Sequence, residues 1–271
     1  SLNLDDLGFE EEKLMLLKEK ANAANGMILV TGPTGSGKTT TLYSVLNYVN
    51  SPQLNIITVE DPVEYRLEGI NQVQARPNVG LTFASALRSI LRQDPDIVMV
   101  GEIRDLETAE IAIKAALTGH MVLSTLHTNN AVATIIRLLN MGIDKYLIVS
   151  SLSVIVAQRL VRRVCTGCRE PVEPTTDITM FMERQGIDLT QATFYKGKGC
   201  KQCSGSGFWG RMGIHEILFM NPTIKELIIN DGSEMEIRKA AEESGTTSLF
   251  DEGMKKAKNG MTTLEEIIRV A

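Results

Sequence analysis

Gly32-Pro33-Thr34-Gly35-Ser36-Gly37-Lys38-Thr39 fits the spacing G-x-x-x-x-G-K-[ST] at every position. The apolar run Met27-Ile28-Leu29-Val30 precedes it as a buried strand, and Thr39 to Val49 can follow it as a helix. Glycines in such a loop let the backbone turn tightly and aim successive N–H groups at phosphate oxygens, while the helix N-terminus adds partial positive charge. Lys38 can neutralise β- and γ-phosphates. The Thr39 hydroxyl can ligate Mg²⁺, with Thr40 beside it. The plain alternative is a glycine-rich turn with an incidental lysine. Pattern and flanks together favour a nucleoside triphosphate site, read as ATP.

Working outward, short apolar strands alternate with helices. Glu10 to Asn25 reads as an amphipathic helix with Leu14, Leu17 and Ala21 on one stripe, closed at Gly26 as a C′ glycine. Strand patterns follow at Met27–Val30, Asn55–Val59, Ile97–Val100 and Met121–Leu126. Helical patterns follow at Phe83–Gln93, Leu106–Leu117, Ala131–Asn140 and Lys145–Val161. This alternation predicts an α/β fold with a largely parallel sheet. After Arg163 the chain turns rich in Cys, Pro and Gly, with Pro171 and Pro174, and reads as an irregular module to about Gly213. From Pro222 to Ala271 it reads as three or four short helices, broken near Asp231-Gly232, Gly245 and Asn259-Gly260. The expected domains are therefore 1–163, 164–213 and 214–271.

The chain has 271 residues, 43% of them hydrophobic, enough for one large domain or two modest ones. A net charge of −5 disfavours a broad nucleic-acid footprint, so no nucleic-acid partner is expected. The longest apolar candidate, Leu147 to Val161, carries Ser150, Ser151, Ser153, Gln158 and Arg159, which argues against a membrane span.

Ligands of parallel α/β sheets sit at the carboxyl ends of strands, and the acids lie at such ends. Asp96 to Asp105 is an apolar strand followed by Gly101 and Glu102, with Glu102 where an acid could hold Mg²⁺ and polarise the attacking water. Thr58 to Glu64 places Glu60, Asp61 and Glu64 close together, as candidates for metal-bound water and a general base. A solvated acidic turn stiffened by Pro62 is the alternative. His120 enters the strand Met121–Leu126 and reads as structural, while His127 leaves it and suits a γ-phosphate sensor or water-positioning role. Arg88 and Arg92 share a helix face, and Arg104 follows Glu102. Such cations can stabilise charge on a neighbour's γ-phosphate, or simply pair with carboxylates at the surface.

The four cysteines form two pairs, Cys165-x-x-Cys168 and Cys200-x-x-Cys203. Four thiolates at this spacing suit tetrahedral Zn²⁺ in a closed structural site, and redox chemistry is the lesser reading.

Four stretches and the two Cys-x-x-Cys pairs carry a family resemblance: Gly32–Thr41, Val59–Tyr65, Leu91–Asp105, Thr118–Asn129, Cys165–Cys168 and Cys200–Cys203. Over nearly the whole chain they resemble the secretion ATPases of type II secretion and type IV pilus assembly (the GspE/PilB group). The resemblance implies a RecA-like P-loop NTPase motor with a tetracysteine module and a helical C-terminal subdomain. It implies homo-hexamers with nucleotide near subunit boundaries, and Arg88, Arg92 and Arg211 reaching nucleotide. It also implies a place on the cytoplasmic face of the inner membrane, peripheral through partners: a membrane platform protein and other secretion or pilus components. Such motors carry a further N-terminal domain, and the chain is expected to begin just after it. A pilus-retraction motor, a RecA-like nucleic-acid motor and a nucleotide-gated scaffold are the other readings.

Overall fold

The computed structural model describes residues 2–271. In chain order its elements are α1 (Glu11–Ala21), β1 (Gly26–Thr31), α2 (Lys38–Val49), β2 (Ile56–Glu60), β3 (Asn71–Gln74), α3 (Phe83–Leu91) and β4 (Ile97–Val100). There follow α4 (Leu106–Leu117), β5 (Met121–Leu126), α5 (Ala131–Asn140), α6 (Lys145–Ser151) and β6 (Leu152–Val164). Then come β7 (Arg169–Val172), α7 (Thr176–Arg184), β8 (Phe194–Gly197), β9 (Phe208–Phe219), α8 (Pro222–Ile229), α9 (Glu234–Glu243), α10 (Leu249–Lys258) and α11 (Leu264–Val270).

The chain forms two compact units, Ser1–Gln158 with Glu216–Thr246, and Arg159–His215 with Thr247–Ala271. They do not follow the three expected segments, because the four tail helices are shared out: α8 and α9 belong to the first unit, α10 and α11 to the second.

The first unit is built on a sheet ordered β3-β2-β4-β5-β1-β6-β9, in which β3 through β6 pair in parallel. Parallel strands need crossover helices that cover both faces, which is why β1, β2, β4 and β5 bury every residue. Three of the crossover helices, α3, α4 and α5, start on capping side chains, while α2 starts on Gly37. Thr82 accepts from Ser85 N–H ahead of α3, Asp105 from Thr108 N–H ahead of α4, and Asn130 from Ala133 N–H ahead of α5.

Three expectations are corrected. The helix expected over Lys145–Val161 stops at Ser151, and its second half is β6. The β-branched run that begins at Val154 packs edge-on to β1 with Ile28 opposite Val154 and Val30 opposite Val156, a pairing that outweighs helical periodicity. Gly26 does not cap α1; it opens β1, donating its N–H to the His120 carbonyl. Within residues 164–213 the second unit holds the antiparallel β7–β8 ribbon, α7 and the start of β9, where irregular chain was expected.

In the second unit Glu266 is buried and accepts from Arg162 and Arg269, while the Arg162 guanidinium stacks 4.0 Å from the Phe208 ring centroid. Burial opposes the charge on Glu266. The hydrogen bonds from Arg269 and Arg162 outweigh it and hold the carboxyl at about 2.

Candidate functional site

At the carboxyl end of β1 the chain turns into the loop 32–37 and then into α2. Gly32 sits at φ +155°, and a Cβ there would come within 2.5 Å of Ser36 Oγ and 2.6 Å of the Gln158 carbonyl, so conformation and space both demand glycine. The loop's shape is held from β6. Gln158 is buried; its Nε2 donates to the Ser36 carbonyl at 2.8 Å and its Oε1 accepts from Thr41 Oγ1 at 2.8 Å. Lys38 Nζ donates to the carbonyls of Gly32 and Pro33, at 2.8 and 3.0 Å.

A cavity of about 410 Å³ opens above the strand ends of the first unit. Thr34, Gly35, Gly37, Lys38, Thr39 and Thr40 line one side, and Glu60, Asp61, Glu64, Glu102, Arg104 and His127 another. Loop and acids therefore meet, although they lie far apart in sequence.

Side chains of β5 place Glu102. Ser124 Oγ donates to the Val100 carbonyl and Thr125 Oγ1 to the Gly101 carbonyl, each at 2.7 Å, while Ile103 N–H donates back to Thr125. Its carboxylate accepts from Arg104 Nε at 2.7 Å and stands 2.9 Å from His127 Nε2. His127 is fixed in turn by Thr31 Oγ1, which accepts the Thr128 N–H at 2.9 Å, and its Nδ1 faces the Gly32 carbonyl at 3.3 Å. His120, at the other end of β5, points Nδ1 at the Ala115 carbonyl at 3.0 Å and helps close α4.

Glu60 ends β2 and is buried. Its carboxylate accepts from Tyr43 Oη, from Thr58 Oγ1 at 2.7 Å and from Gln72 Nε2 at 3.1 Å. Burial first, and then the hydrogen bond to and charge of Glu60, push the Tyr43 phenol well above its ordinary value, so Tyr43 stays the donor. Glu64 lies exposed at the rim. Arg88 instead pairs with Glu107 at 2.5 Å on the surface and Arg92 is exposed at the end of α3; neither lines the cavity. Arg211 is exposed on β9. Tyr43, Gln72 and Gln158 are site residues that sequence reasoning did not single out. For Tyr43 and Gln158 the only sign was a polar group among apolar neighbours, and Gln72, in the polar strand Asn71–Gln74, gave none.

In the second unit the Sγ atoms of Cys165, Cys168, Cys200 and Cys203 all lie within 4.8 Å of one another. Three of the spacings are 3.8 Å, which is the edge of a tetrahedron with metal–sulfur bonds of about 2.3 Å. Backbone N–H groups support the sulfurs, Gly199 to Cys168 and both Cys200 and Gly207 to Cys203. Burial pushes the Cys168 thiol up to about 11. At Cys203 burial acts the same way but the Cys200 and Gly207 N–H groups prevail and hold it at about 6. The turn depends on close backbone contact: a Cβ on Gly197 would lie 2.0 Å from the Gly207 carbonyl oxygen.

A buried parallel strand running into a glycine-rich anion loop, with a lysine at the start of the next helix and acids at neighbouring strand ends, defines a P-loop nucleotide-binding α/β protein. The chain belongs to the family described as type II/IV secretion system protein, whose model matches residues 1–269. It is 52% identical over 271 residues to the type IV pilus assembly ATPase PilB of Acinetobacter baylyi, covering 99% of this chain and 47% of that one. It is 49% identical over 270 residues to the type II secretion system protein E of Pseudomonas aeruginosa, covering 99% and 53%. The chain thus spans about half the length of these relatives. Among solved structures it resembles the pilus retraction motor PilT with bound ADP, at TM-score 0.73 and 30% identity, covering 99% of this chain and 66% of that one. Among the described residues no helix is long and apolar enough to cross a membrane.

Proposed function

We propose that this chain is the ATP-hydrolysing part of a Mg²⁺-dependent motor that powers type II protein secretion or type IV pilus assembly. The observation that carries the reading is the His127 ring, set between the Gly32 carbonyl of the phosphate loop and the Glu102 carboxylate. It joins the phosphate-binding loop to the acid of the neighbouring strand within one cavity.

In this reading the N–H groups of residues 35–39 cradle the β- and γ-phosphates and Lys38 turns from the loop carbonyls to the phosphate oxygens. The Thr39 hydroxyl and the Glu102 carboxylate would hold Mg²⁺. Both are hard oxygen donors on the cavity wall, and buried Glu60 is balanced only by neutral donors, so the site has charge to spare for a cation. When bound, Mg²⁺ neutralises charge building on the phosphate oxygens. Glu102 and Glu60 orient the attacking water, and His127 senses the γ-phosphate. Water attacks phosphorus as the bond to the ADP oxygen breaks, giving ADP and phosphate.

The cysteine cluster would hold a structural Zn²⁺, since the donors are four thiols at tetrahedral spacing with no position left for substrate. The motor would act as a homo-hexamer at the cytoplasmic face of the inner membrane, pushing on a membrane platform protein. Arg88, Arg92 and Arg211 would there meet a neighbouring subunit's nucleotide, which suits their exposure. The retraction reading draws on the likeness to PilT, but the higher identities to assembly and secretion ATPases favour the first. The test is Lys38→Ala. Nucleotide binding and Mg²⁺-dependent ATP turnover should both be lost, and unchanged turnover would sink the motor mechanism.

A further inference from the structure

Tyr43 is fully buried on α2, the helix that begins at Lys38. Its ring packs edge-on to Tyr65 with centroids 4.9 Å apart. A phenylalanine would fill the same space, so packing does not explain the oxygen. That oxygen donates to Glu60 and accepts from the Glu64 N–H at 3.3 Å, with Gln72 Nε2 3.4 Å away. Gln72 ties the same loop further, accepting the Leu67 N–H at 2.7 Å and donating to the Tyr65 carbonyl at 3.1 Å. Three elements therefore meet at one hydroxyl: the phosphate-binding helix, the acid at the end of β2, and the loop that carries Asp61 and Glu64.

A carboxylate offers about four lone-pair sites. Tyr43, Thr58 and Gln72 occupy three of those on Glu60, which also lines the cavity. One site is left for a group inside the cavity, and the other three fix the carboxylate's plane. We propose that Tyr43 is a positioning residue. It aims the remaining lone pair of Glu60 at the attacking water and holds the 61–67 loop in step with the phosphate-binding helix. The inference rests on the proposed ATP hydrolysis for its kinetic consequence, but not for its structural one.

The experiment compares Tyr43→Phe with Tyr48→Phe, a change on the same helix at a half-exposed tyrosine whose hydroxyl, among the described residues, bonds Asn22. Losing a hydrogen bond to a charged group should lower kcat for Mg-ATP by about ten- to hundredfold. ADP affinity should stay at its wild-type value while the melting temperature falls by a few degrees, because a buried hydrogen bond to a charged group is lost, and Tyr48→Phe should match wild type throughout. In parallel, hydrogen exchange at the Glu64 and Leu67 amides should speed up by about tenfold in Tyr43→Phe while β1 amides keep their protection. Wild-type kcat in Tyr43→Phe, or affinity falling in step with kcat, overturns the positioning role. Absence of turnover in the wild-type chain overturns the proposed function instead; unchanged exchange at Glu64 then still overturns this inference. Gln72→Met, which keeps the volume and removes the amide, should shift both readouts the same way and serves if Tyr43→Phe does not fold.

Discussion

His127 Nε2 lies 2.9 Å from Glu102 Oε1 across the ends of the neighbouring strands β5 and β4. The other ring nitrogen faces the Gly32 carbonyl, so the ring stands between two acceptors. A ring held this way touches the loop and the acid together. Glu102→Gln keeps the shape and removes the charge. Nucleotide binding should persist while turnover falls by about 10²–10⁴-fold, the range for a positioned acid or base. Single-turnover kinetics beside equilibrium nucleotide binding would separate the two effects, and equal losses in both would count against the assignment.

Gly32→Ala tests the loop's geometry. An added Cβ must displace Ser36 Oγ or the Gln158 carbonyl, and the backbone angle is one that alanine resists. We expect a loss of stability of about 1–3 kcal/mol and weaker nucleotide binding than that loss alone explains. Chemical denaturation and nucleotide titration on the same samples would check it.

The cysteine cluster predicts about one metal ion per chain by elemental analysis after chelator-free preparation, with zinc expected. Cys165→Ser removes a buried ligand and should lower both metal content and stability, the latter by about 4 kcal/mol, as losing a structural metal can do. Full metal content in the variant would show that the ion sits elsewhere.

Acid stability should report on Glu266. Its carboxyl falls from 4.5 to about 2 on folding, so its contribution is complete above pH 4.5 and disappears as pH drops through 2. Glu266→Gln should be the less stable protein at neutral pH. The gap between the two melting curves should narrow steadily on acidification, and a gap that stays constant from pH 5 to pH 2 would remove Glu266 from the account.

Much of this was written in local sequence. The strands β1, β2, β4 and β5 are continuous apolar runs, and such runs between helices have few other ways to fold. The phosphate loop and Cys-x-x-Cys pairs were legible because each is set by short-range geometry. What stayed hidden depends on partners distant in sequence. Leu152–Val164 alternates in a way that helix and strand can both accept, and only the open edge of β1 decides. Tyr43 and Gln158 looked like ordinary polar interruptions, and Gln72 like one more polar residue of β3, because the partners that make them site residues, Glu60 and Ser36, lie 12 to 122 positions away. Arg88 read as a cation for a neighbour's nucleotide or for a surface carboxylate; within the chain its near partner is Glu107, a residue whose proximity no helical periodicity reveals.

The clamp of Gln158 on Ser36 and Thr41 has a thermodynamic corollary. The phosphate cradle takes its shape when β6 docks on β1, before any ligand arrives, so the ordering entropy of the loop belongs to folding and not to binding. Association should then be quick, with a small heat-capacity change. A substitution that loosens the β1–β6 seam should emerge first as a slower, more entropically costly capture of nucleotide, at temperatures where the rest of the sheet is still intact.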